Sequence, residues 1–220
     1  MAGYIYMKIL ESQPGRYDRG ISWLSLGQSG RAKRRIVDEH VRPGMSVLEI
    51  GAGTGTMALL AARKGARVLG FDVSNAMLKI ARRKISDAKM DDRVELWEMG
   101  VSGMDKLPSA SFDLVASTLV FSELSRDEQA YALREACRVL RPGGFLAIAD
   151  EARPRTALKR LTHTALRLPL LLVTFALTQT STKAVEGLEQ AVAEAGFKII
   201  RAERDSWDSF LTLAAKKEED

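Results

Sequence analysis

Three glycines stand two residues apart at positions 51, 53 and 55, with an acid, Glu49, just ahead of them. Glycines so placed let the backbone turn sharply and approach a ligand without side-chain obstruction. A plain tight turn would use the same residues. The spacing is G-x-G-x-G and position 56 is Thr, so the dinucleotide pattern G-x-G-x-x-G is not met. Glu49 is also an unfavourable neighbour for a pyrophosphate; an acid there suits a ligand carrying an ammonium and a sulfonium. Asp72 lies 21 residues after Gly51. A carboxylate at that distance can accept both hydroxyls of a ribose. An aspartate there could instead cap a helix, but Ser74 already stands at the cap position. Val73 and Met77 follow, where apolar surface could take an adenine face.

A further acid, Glu123, lies just beyond the apolar stretch 113–118. It could contact or deprotonate an acceptor, or serve as a solvated loop acid before the helix cap Ser125. Tyr17 could close over the site or pack on a helix. Metal and thiol chemistry are not expected. Cys137 is the single cysteine and His40 and His163 are the only histidines, too few for a metal site or a disulfide framework.

These residues need a scaffold, and the hydrophobic pattern supplies one. Apolar strands are predicted over 46–50, 66–71, 93–97, 113–118 and 145–149. They alternate with helices over 31–41, 57–64, from the Ser74 cap through Ile85, and 127–140. The last of these is closed by Pro142-Gly143-Gly144. Near-continuous apolar strands alternating with helices imply a doubly wound parallel α/β sheet, Rossmann-like and covered on both faces. Open sheets of this kind bind ligands at the carboxyl ends of their strands. The tail differs. A helix over 183–195, ended by Gly196, precedes two strands, 198–202 and 209–214, joined by a turn too short for anything but an antiparallel pair. The 220 residues read as one domain, with an N-terminal helical cap over 1–42 and a basic, apolar lid insertion over 153–182.

The motifs have a family likeness. Residues 49–55, the run Phe71-Asp72-Val73-Ser74-Asn75-Ala76-Met77-Leu78 and the run Arg138-Val139-Leu140-Arg141-Pro142-Gly143-Gly144 together resemble class I S-adenosylmethionine-dependent methyltransferases. Residues 17–27, followed by the basic run 31–35, resemble the ubiquinone/menaquinone C-methyltransferase branch. Residues 7–12 and 16–20 resemble methyltransferases associated with corrinoid proteins. The resemblance implies the seven-stranded methyltransferase fold and S-adenosyl-L-methionine as cofactor, with S-adenosyl-L-homocysteine as product. With it, Glu49, Gly51, Gly53, Gly55, Asp72, Val73, Met77 and Ser117 are candidates for the cofactor, while Glu123 and Tyr17 are candidates for catalysis from their positions alone. The chain departs from the pattern twice. After the third strand it lacks the acid that relatives place against adenine, which leaves the Gly100 and Val101 backbone for that task. After the fourth strand, residues 117–124 are unlike those of the quinone enzymes.

The acceptor is expected to be a small or lipid-like molecule. Cytosine C5 chemistry would need a reactive cysteine near the cofactor. Amino methylation of nucleic acid would show an Asn/Asp-Pro-Pro-Tyr turn after strand four, which is missing here. The net charge is +5, and the 34 residues between Glu151 and Glu186 contain no acid but carry Arg153, Arg155, Lys159, Arg160, Arg167 and Lys183. Such a segment is either a solvated lid face or a means of peripheral contact with an anionic membrane. An RNA methyltransferase, and a silent cofactor-binding partner of a corrinoid or other protein, are the competing functions. The opening residues show no basic leader with an apolar core, and no apolar run reaches the length of a spanning helix, so a cytoplasmic protein is expected.

Overall fold

The computed structural model describes residues 28–153 and 184–218. Tyr17 and most of the 1–42 and 153–182 segments lie outside them. The elements run α1 (Gln28–His40), β1 (Ser46–Ile50), α2 (Thr56–Arg63), β2 (Arg67–Asp72), α3 (Asn75–Asp87) and β3 (Val94–Glu98). They continue with a 3-10 turn (Val101–Lys106), β4 (Phe112–Thr118) and a second 3-10 turn (Phe121–Glu123). Then come α4 (Arg126–Val139), β5 (Leu140–Glu151), α5 (Leu188–Glu194), β6 (Phe197–Arg204) and β7 (Phe210–Lys217).

The strands form one seven-stranded sheet in the order β3-β2-β1-β4-β5-β7-β6. β1 to β5 are mutually parallel, and β7 is antiparallel to both β5 and β6. This is the seven-stranded α/β fold expected. Side-chain alternation divides the core in two. Leu48, Ile50 and Val115 face α4, α5 and the 101–106 turn. Val47, Leu114 and Ala116 face α1, α2 and α3. The chain winds from β1 through β2 to β3 on one side and resumes at β4 on the other. The crevice therefore opens at the carboxyl ends of β1 and β4.

Helix ends follow local chemistry. The Ser74 hydroxyl accepts the Met77 N–H at 3.3 Å. Ser125 and Glu128 form a reciprocal capping box at the start of α4. Two predicted boundaries move. β5 begins at Leu140 and runs through Pro142-Gly143-Gly144, because the chain is already extended at Leu140 (φ −72°, ψ 139°) and pairs with Phe112 before a register shift. The helix predicted from 183 starts only at Leu188. Val185 donates its N–H to the Glu151 carbonyl and accepts from Arg153, so its backbone extends the sheet instead.

The glycine turn is locked by packing. Gly51 has φ +71°, and a β-carbon there would overlap Val120 Cγ2. Gly51→Ala should cost about 2–4 kcal/mol from left-handed strain and overpacking together. A fall of roughly 5–15 °C in melting temperature is expected. Adding Val120→Ala should recover the packing part only. A single variant as stable as the parent would contradict this contact.

Candidate functional site

The three motif glycines do different work. Gly51 meets Val120, and a β-carbon on Gly55 would lie 2.8 Å from Ala81 Cβ, so both permit close packing. Gly53 has nothing within 4 Å of the same position. Open space therefore lies above Gly53, where a ligand can approach the backbone.

Asp72 fixes this loop. Its Oδ2 accepts the Gly53 N–H at 2.8 Å, and its Oδ1 accepts the Ser74 N–H at 2.9 Å. An ionised carboxylate has about four lone-pair sites. Two hold the loops, and the others remain for ribose hydroxyls. Beside it, Val73 is 72% exposed. The Val73 Cγ1 lies 3.4 Å from where a β-carbon on Gly100 would sit, so the two form a shelf at the sheet edge. The Val101 side chain is buried, and only its backbone can face that shelf.

Met77 and Ser117 do not fill the roles expected of them. Met77 is 1% exposed and supplies no stacking surface; α3 turns it inward. Ser117 is wholly buried, and its hydroxyl donates to the Ile50 carbonyl at 3.3 Å, which ties β4 to β1.

Glu49 lies under the loop, not in the open crevice. It faces the α1 and α2 side, is 1% exposed, and lies close to the Ala58 N–H of α2. Burial raises its pKa to about 8, opposed by Lys33 and the Ala58 N–H and reinforced by Asp72. Its Oε2 has no hydrogen-bond partner. A buried polar atom without a partner is costly. A cation bound nearby would favour the charged carboxylate and relieve that cost.

Glu123 ends the 121–123 turn at the mouth of the crevice. Its side chain is exposed but partly desolvated by the protein packed around its base. That desolvation, with the Asp150 and Asp72 carboxylates adding repulsion, raises its pKa to about 7. Sequence reasoning missed Asp150, whose only trace is an acid ending an apolar strand. It also missed the Thr118 hydroxyl, which is buried without a partner on the Glu49 side of the sheet.

A family model described as a methyltransferase domain matches residues 47–144. The fold resembles the solved S-adenosylmethionine-dependent methyltransferase of Aquifex aeolicus, with a TM-score of 0.62 and 19% identity. That likeness covers 84% of this chain and 89% of the other. Residues 47–144 thus match a methyltransferase domain, and the chain is similar to the class I S-adenosylmethionine-dependent methyltransferases.

Within the class it is similar to the ubiquinone/menaquinone biosynthesis C-methyltransferase UbiE of Hahella chejuensis. The two are 31% identical over 151 residues, 67% of this chain and 59% of that one. It is 35% identical over 150 residues to the demethylmenaquinone methyltransferase of Paenarthrobacter aurescens, 68% of this chain and 56% of the relative. The chain thus spans less than two thirds of these relatives' length.

S-adenosylmethionine is the cofactor of the class, and the residues present fit it. There is open space over Gly53, an exposed apolar shelf at Val73, free lone pairs on Asp72 and an unpartnered Oε2 on Glu49. Asp72→Ala should weaken its binding by about 1.5–3 kcal/mol, the range for hydrogen bonds to a charged group. Gly53→Val should abolish binding while lowering stability by only about 1–2 kcal/mol, because it adds left-handed strain but no clash. Calorimetry with S-adenosylmethionine checks both. Unchanged affinity in either variant would remove that residue from the site.

Proposed function

We propose that this chain transfers the methyl group of S-adenosylmethionine to a small or lipid-like acceptor whose attacking atom carries a proton, and that Glu123 takes that proton. One observation carries the reading: Glu123 stands at the crevice mouth, close enough to Asp72 to feel its charge, with a pKa of about 7. A base works best when its pKa lies near the operating pH. Bound S-adenosylmethionine supplies a methyl on a sulfonium, so one C–S bond breaks as the acceptor bond forms and S-adenosylhomocysteine remains. The Gly53 loop and Asp72 hold the donor, and the 119–123 segment faces the acceptor. Holding two reactants in line can lower a barrier by roughly 7–11 kcal/mol.

The relatives' printed names, in ubiquinone and menaquinone biosynthesis, support an acceptor of lipid type. The basic, acid-free 153–182 segment supports peripheral contact with an anionic membrane from the cytoplasmic side, and Tyr17 is a candidate to close over the acceptor. No helix among the described residues is long and apolar enough to cross a membrane.

The test is incubation with labelled S-adenosylmethionine and fractionated host extract. Label in an organic-extractable product supports the reading. Label in RNA, or cofactor binding with no transfer to any fraction, contradicts it. Against the labelled acceptor, kcat/KM should rise with pH through a midpoint near 7 and level off about one unit above it, because only ionised Glu123 can accept the proton. Glu123→Gln should lower kcat by about 10²–10⁴-fold and flatten that rise. A Gln variant with the parent's rate and pH profile would exclude Glu123 as the base.

A further inference from the structure

We infer that Asp150 is a positioning residue for methyl transfer, holding the turn that presents Glu123 to the acceptor. The inference rests on Glu123 being the base. Asp150 closes β5 and is 1% exposed. A carboxylate removed from water this fully must be satisfied by hydrogen bonds or a cation. Among the described residues no ion pair provides the cation, and the donors come from two places. Its Oδ1 accepts the Glu151 N–H at 2.8 Å. Its Oδ2 accepts the Ser122 N–H at 3.3 Å, and the Ser122 hydroxyl and Phe121 N–H lie close enough to favour its charged form. Phe121 and Ser122 are the first two residues of the turn whose third is Glu123.

The same turn is tied from the other side. Gln129 of α4 donates from Nε2 to the Phe121 carbonyl at 2.7 Å and the Leu124 carbonyl at 3.1 Å. Leu119, just before the turn, is held at φ +59° with its N–H on the Ala149 carbonyl. A leucine in the left-handed region costs about 1–3 kcal/mol and persists only when its surroundings fix it. Asp150 takes the Ser122 N–H, and Gln129 donates to the Phe121 and Leu124 carbonyls on either side of Glu123. Phe121 and Ser122 are buried, and Glu123 alone of the three emerges.

Asp150 also acts on Glu123 through its charge. The charged groups that act on Glu123 are Asp150 from β5 and Asp72 from β2, both of like sign. Each favours the protonated form of Glu123, which is the form the base must reach during transfer. A residue that merely supported the turn would leave the titration of Glu123 unmoved.

The experiment is a carbon-13 NMR titration of the side-chain carboxyls in the full chain, with Glu123 assigned from its loss in Glu123→Gln. Asp150→Asn keeps an acceptor for the turn and removes the charge. The Glu123 midpoint should fall by about one pH unit. The acid limb of the rate against the labelled acceptor should move with it, and the affinity for S-adenosylmethionine should fall far less than in Asp72→Ala. Because Asp150 ionises before Glu123, the Glu123 signal of the parent chain should also carry a smaller second step at the Asp150 midpoint near 6, an arm that needs no variant. That second arm decides the matter if Asp150→Asn does not fold. A midpoint that stays in place, or a parent signal without that second step, would overturn the inference. A fully active Glu123→Gln with shifted midpoints would instead overturn the base assignment alone.

Discussion

The Asp72 carboxylate holds two turns at once, and the site is built around that fact. One oxygen takes the N–H of Gly53 after β1, and the other takes the N–H of Ser74 before α3. The glycine loop and the β2–α3 turn thus share a single anchor at the topological switch of the sheet. The geometry requires glycine at 51 and 55 because Val120 and Ala81 close in on the loop from either side. It leaves Gly53 uncovered, next to the lone pairs that Asp72 has not used.

Around that anchor the sheet edge gathers carboxyl groups. Glu49 lies beneath the loop, Glu123 at the mouth and Asp150 under the second turn, with pKa values raised to about 8, 7 and 6. Burial dominates each shift. A recess of this kind favours a cationic ligand because the cation stabilises charges that burial penalises. S-adenosylmethionine is such a ligand, and its neutral product stabilises them less. The same carboxyls that favour the donor also leave one of their number able to take a proton near neutral pH.

Much of this was legible in the sequence, for identifiable reasons. Apolar runs marked the central strands because a sheet covered on both faces buries their side chains on either side, and the short 202–209 connection forced the antiparallel pair. Ser74 and Ser125 marked helix starts because a hydroxyl before an apolar periodic run has an orphan N–H to accept. The failures were failures of direction. Spacing placed Met77 near the cofactor but not which way α3 would turn it. Ser117 sits at the right strand end, yet its hydroxyl is spent on Ile50. Three equivalent-looking glycines divide into two that pack and one that faces open space. Asp150 was invisible because its value lies in bonds to a turn 28 residues earlier in the chain.

The central claim is that the donor lies over Gly53 between Asp72 and the Val73 shelf. Titration of the nitrogen-15-labelled protein with S-adenosylmethionine tests it most directly, read at the backbone amides. The largest shifts should fall on Gly53, Val73, Ser74 and the Gly100–Val101 pair, with smaller ones at 119–123. Shifts concentrated away from the carboxyl ends of β1, β2 and β4, or no saturable shifts at all, would contradict it.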